Sequence, residues 1–198
     1  MGTLKTTNIE SISGSGTVTL GTSGETFALG SNVTVTGNGL VGITAAHNWR
    51  LTTAYEVGTT SKAYITANLE AVDTTGQGTL GSAMTESSGV FTFPSTGIWY
   101  AAMLLYTYDG ADYDYAYSEI DVTVNDSAYT EVAQAVANGM TGSSQRESSS
   151  YVSTLVDVTD TANVKVKFGL SASTTGVNVW GDTGRNGTSM MFIRLGDT

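Results

Sequence analysis

The 198-residue sequence contains no cysteine, one proline (Pro94) and one histidine (His47). The first absence excludes a disulfide framework, a thiolate metal site and a cysteine nucleophile. A single histidine, with no second general base near it in sequence, is read as taking a neck or a buried hydrogen-bonding role, not as a catalytic base. Basic side chains are also scarce: 8 Lys and Arg face 18 Asp and Glu, a formal net charge of −10. Such a chain repels phosphate backbones and anionic membranes, because duplex binding depends on lysine and arginine displacing counterions. No apolar run approaches the roughly 20 residues of a membrane span, and Met1-Gly2-Thr3-Leu4-Lys5 carries no apolar signal region, so the chain is expected to be made without a secretory leader. There is no Gly-x-Ser-x-Gly nucleophile elbow, and no pair of carboxylates stands out for glycoside hydrolysis. The glycine-rich Gly181 to Gly187 segment lacks the Lys-Ser/Thr ending of a phosphate loop and is expected to join two strands. The expectation is a protein that is not an enzyme, has no resident cofactor, binds no nucleic acid and does not insert into membranes.

What is present is β-forming. Hydrophobic residues make up 40% of the chain and charged ones only 13%, while 24 glycines and many serines and threonines supply turns. The central stretch runs from Gly89 to Tyr106. Val90 to Phe93 reads as a strand, Pro94 as a turn entry, and Ile98 to Leu105 as a strand apolar on both faces. Such a strand needs cover on both sides, from a second sheet or from another subunit.

Around this centre the sequence divides at residue 50. Residues 14 to 42 hold three short alternating runs closed by glycine, at Val18 to Gly21, Phe27 to Gly30 and Val33 to Gly37. Each places only two large apolar residues on one face, too few for an isolated hairpin. Two readings are open, a quasi-repeating shaft or docking arm, and an ordinary meander. From Leu51 onward, strands and turns alternate to the end. Thr130 to Gly139 fits either a capped helix or an alternating strand; Thr141 to Ser150 reads as an exposed loop; Val164, Val166 and Phe168 point inward, with Lys165 and Lys167 outward.

The run Phe91-Thr92-Phe93-Pro94-Ser95-Thr96-Gly97-Ile98-Trp99-Tyr100 and the closing Ser189-Met190-Met191-Phe192-Ile193-Arg194-Leu195 resemble the C1q/TNF-like jelly roll over residues 51 to 198. In that family a Phe-x-x-x-x-x-Gly-x-Tyr motif sits mid-domain, and the last apolar strand ends near a three-fold axis. The resemblance implies an all-β antiparallel jelly-roll sandwich that forms a homotrimer. It also favours the strand reading of 130 to 139. It implies that Phe91, Phe93, Trp99, Tyr100, Met190 and Phe192 lie in the core or at the trimer interface.

The least ordinary patch is Tyr106 to Val122. After the Asp109-Gly110 turn, strand alternation sets Tyr113, Tyr115 and Tyr117 on one face and Asp112 and Asp114 on the other. The tyrosines fit either a sheet face or subunit seam, or a platform for host-surface glycan or receptor. Asp109, Asp112 and Asp114 are candidate oxygen ligands for Ca2+, although their spacing is not that of an EF-hand.

A cysteine-free acidic β-chain with a repetitive opening also resembles virion proteins of tailed bacteriophages. Leu4-Lys5-Thr6-Thr7-Asn8-Ile9, followed by Gly-Ser-Gly-Thr-Val-Thr-Leu-Gly from Gly14, is similar to openings of marine phage structural proteins. The resemblance implies a homotrimeric fibre, knob or capsid-decoration protein. Residues 1–50 would dock on other virion proteins and residues 51–198 would project as the head. An adhesin-like head that binds receptor or glycan, with or without calcium, is the alternative.

Overall fold

The computed structural model describes residues 42–142 and 147–198. The arm segments read at residues 14 to 41, and Gln145 and Arg146 of the expected loop, lie outside the described residues. The described chain is all-β, with no helix. Its strands are β1 (Ala45–Leu51), β2 (Tyr55–Val57), β3 (Ala63–Tyr64), β4 (Leu69–Ala71), β5 (Thr85–Ser87), β6 (Val90–Thr92), β7 (Gly97–Gly110), β8 (Tyr113–Thr123), β9 (Thr130–Met140), β10 (Glu147–Val158), β11 (Lys165–Ala172), β12 (Val177–Val179) and β13 (Ser189–Gly196). They form two antiparallel sheets. In the first, β7 is central: β10 pairs along one edge, β13 and then β12 share the other, and β1, β4 and β2 extend outward. In the second, the order is β5-β6-β11-β8-β9, with β3 also on β11.

Local chemistry explains the joints. Thr85 to Thr92 is a hairpin whose two turn residues, Ser88 and Gly89, both have positive φ, as a tight two-residue hairpin requires. Pro94 opens the turn between β6 and β7, and the indole N–H of Trp99 donates to the Ser95 carbonyl at 3.1 Å across it. Gly97 enters β7 at φ 129°, and a Cβ there would lie 2.3 Å from the Gly196 carbonyl oxygen. Only glycine fits.

The core lies between the sheets. Phe91 and Phe168 of the second sheet meet Trp49 and Phe192 of the first, with Phe91 5.5 Å from Trp49, 5.4 Å from Phe168 and 5.2 Å from Phe192 between ring centroids. Phe93 packs on Trp99 at 5.4 Å. Of the six residues expected in core or interface, Phe91, Phe93, Trp99, Met190 and Phe192 are buried in this chain's own interior. Tyr100 points the other way.

Two expectations change. The expected division at residue 50 falls inside β1, which pairs with β13 from Ala45 onward. Glu147 to Ser150, read as loop, begins β10, because the long partner β7 offers it a ladder from Tyr108 down to Leu105. Thr130 to Met140 takes the strand alternative and pairs along β8.

His47 lies on the inner face of β1, not in a neck. Its Nδ1 accepts the Met84 N–H at 3.0 Å and the Trp49 indole N–H at 3.2 Å, so the ring is neutral with its proton on Nε2. Burial lowers its pKa from the ordinary 6.5. The unfolded chain therefore takes up this proton first as pH falls, and stability is lost below pH 6.5 down to the folded value. The melting temperature should fall as pH drops below 6.5. The fall should be shallower in a His47→Asn variant; equal slopes would show that His47 does not contribute.

Candidate functional site

The outer face of the first sheet carries apolar side chains that no other element of the described residues covers. Strand parity places Trp99, Ala101, Met103 and Leu105 of β7 inward and Tyr100, Ala102 and Leu104 outward. The registers extend this outward set across four strands. Leu155, Tyr100, Ile193 and Ala46 form one row, Ser153, Ala102, Met191 and Asn48 the next, and Tyr151, Leu104 and Ser189 a third. Within it Leu155 is 62% exposed, Tyr151 54% and Met191 38%. The Tyr100 and Tyr151 hydroxyls share a hydrogen bond of 2.8 Å, which, with some burial, pushes the Tyr151 phenol up to about 12. Ile98 to Leu105 was expected to need cover on both faces; no second sheet of the described chain covers this one.

The outer face of the second sheet has a different character. Glu119 and Asp121 of β8 point outward, yet are only 3% and 2% exposed at their side chains, because Lys62 reaches over them. Its ammonium lies 3.0 Å from Asp121, 2.9 Å from Glu131 and 3.6 Å from Glu119. Burial works against the Lys62 charge, but hydrogen bonds to Glu131 and Asp121 and the charges of Asp121 and Glu119 outweigh it and hold the pKa above the ordinary lysine range. Tyr64 donates to Asp121 at 2.7 Å, and Ser171 donates to Glu119 at 2.9 Å. Gly169 leaves the room for this: a Cβ there would lie 3.0 Å from the Lys62 Cδ. Glu119, Asp121 and Glu131 are the carboxylates that come close enough to share a metal ion among the described residues, and Lys62 supplies a cation among them.

The expected tyrosine stripe is interrupted. Tyr113 turns inward, sharing a 2.7 Å hydrogen bond with the Thr107 hydroxyl, while Tyr115 and Tyr117 stay outside with ring centroids 4.8 Å apart. The inward parity of β8 changes between Tyr113 and Ala116. There the opposite strand approaches so closely that a Cβ on Gly139 would lie 2.0 Å from the Asp114 carbonyl oxygen. Asp112 and Asp114 are exposed at the start of this strand, and the Asp109 side chain lies outside the described residues.

Sequence reading missed the Lys62 cluster, whose members lie 57 to 69 residues from Lys62 with no motif to link them. It also missed Trp180. One signal was available, a tryptophan set directly before a glycine-rich loop in a chain with only three.

No protein-family model and no curated protein sequence matches the chain. Solved structures do match. Murine APRIL is 7% identical, with a TM-score of 0.52 over 76% of this chain and 98% of that one. Eiger TNF from S. frugiperda is 10% identical, with a TM-score of 0.49 over 77% of this chain and 93% of that one. The PRD1 vertex protein P5 is 10% identical, with a TM-score of 0.48 over 78% of this chain and 99% of that one. At such identities the likeness is one of fold, and the fold is a TNF-like antiparallel jelly roll.

Proposed function

We propose that this chain is a non-enzymatic, self-associating structural protein of a virus particle, a homotrimer built through the outer face of the first sheet. The observation that carries the reading is the row Leu155, Tyr100, Ile193 and Ala46 with Met191 and Tyr151 beside it, a contiguous apolar surface on the strands that organise the fold. Isolated exposed apolar residues are ordinary, whereas a continuous patch marks an interaction surface. A closed homo-oligomer covers it without leaving an open end. The fold supports a structural role, and His47, the one imidazole, is engaged as a hydrogen-bond acceptor inside the core.

The virion assignment rests on the likeness of the opening sequence to tailed-phage structural proteins. Residues 1 to 50 would then supply the docking segment, and the part of it in β1 would tie that segment to the head. The test is the solution mass of the full chain beside Leu155→Asp, by light scattering after size exclusion. Three chain masses for the natural sequence, and one for a still-folded Leu155→Asp, are the expected results. A monomeric natural chain would overturn the assembly, and a trimer unaffected by the aspartate would move the interface elsewhere.

A further inference from the structure

A cavity of about 290 Å³ opens where β7, β10 and the β12 to β13 loop meet, lined by Leu104, Tyr106, Glu147, Trp180, Arg185 and Asn186. Its size is at the small end of ligand pockets. The aromatic wall is rigid. Tyr106 stacks on Trp180 with centroids 5.7 Å apart and an interplanar angle of 25°, and Tyr108 meets the same indole edge-on at 5.0 Å. The Trp180 backbone N–H donates to the Tyr106 carbonyl at 2.8 Å, and the Trp180 carbonyl accepts from the Thr188 backbone N–H at 3.3 Å. Gly187 seats the indole closely, since a Cβ there would lie 2.3 Å from the Trp180 Cδ1.

The polar groups are set around this wall. The side-chain oxygen of Asn186 is buried and has no hydrogen-bond partner. A buried acceptor left unpaired is destabilising unless something donates to it. Burial, and then a hydrogen bond from the Tyr106 hydroxyl to Glu147, raise that phenol's pKa. The Arg185 guanidinium lies 5.6 Å from the Trp180 ring centroid and pairs with Asp182 at 3.1 Å.

The geometry points to a binding site for one neutral saccharide unit. Glu147 and the net charge of −10 disfavour an anion, and Arg185 disfavours a cation. A pyranose presents an apolar C–H face to the aromatic wall. Its hydroxyls donate to the Asn186 oxygen, which has no partner among the described residues, and add to the bonds that Glu147 and Arg185 already make with Tyr106 and Asp182. This site is separate from Tyr115 and Tyr117. It does not depend on the assembly proposed above, although Leu104 and Tyr106 project from the same side of β7 as the apolar row.

The test uses the full-length protein and a panel of glucose, galactose, mannose and N-acetylglucosamine, read by saturation-transfer NMR and by tryptophan fluorescence. Millimolar binding of at least one member is expected. Asn186→Ala should weaken it about tenfold or more without lowering the melting temperature. Tyr106→Ala should weaken it as well, and the folded Leu155→Asp variant should bind as the natural chain does. No saturable binding, or binding untouched by Asn186→Ala and Tyr106→Ala, would overturn the site and leave the amide oxygen to water alone. Binding confined to the Leu155→Asp variant would mean that assembly covers the cavity, and would overturn it as a site of the assembled protein.

Discussion

Phe91→Ala is expected to destabilise the folded chain by about 3–5 kcal/mol. Phe91 is fully buried and is the ring through which the two sheets touch, meeting Trp49 and Phe192 on one side and Phe168 on the other. Removing it takes away the transfer energy of the ring and the three edge or tilted ring contacts, and leaves a cavity whose aromatic walls cannot collapse. For a domain of this size the melting temperature should drop by roughly 6–20 °C. Phe91→Leu retains most of the volume and should cost about 1.5 kcal/mol or less. Urea unfolding followed by tryptophan fluorescence separates the two. Equal midpoints for the alanine variant and the natural chain would show that the sheets are held together elsewhere.

Lys62→Met is expected to cost about 3–5 kcal/mol at neutral pH, although it removes a surface-loop lysine. The loss comes from what stays behind. Glu119 and Asp121 remain covered, and the nearest compensating charge is gone. The methionine still fills the space over Gly169, so the effect is one of charge more than of packing. In the natural chain the raised Lys62 pKa gives stability that is complete below the ordinary value of 10.5 and is lost only as pH rises beyond it. Adding Glu119→Gln and Asp121→Asn to Lys62→Met should recover most of the loss. A triple variant no more stable than Lys62→Met would show that the lysine stem, not its charge, holds the loop.

Both outcomes depend on how much of the molecule was legible in its sequence. The core placement of Phe91, Phe93, Trp99 and Phe192 was implied by the family resemblance. The turn at Pro94 and the alternation of Val164, Val166 and Phe168 follow from β-propensity and period-two patterning, which act over a few residues. The tyrosine stripe was misread for the same reason. Strict alternation holds only while the strand stays regular, and the close approach at Gly139 turns Tyr113 inward where the sequence gives no sign of it.

Composition and local pattern alone determined that this chain is β-structured, acidic, free of cysteine chemistry and built around the Gly89 to Tyr106 stretch. Tertiary structure decided which side of β7 faces the core and which faces out, because parity becomes a surface only when β10, β13 and β1 are laid beside it in register. It also decided the Lys62 cluster and the Trp180 cavity. Each joins groups dozens of residues apart, and no local propensity encodes which distant strands will bring them together.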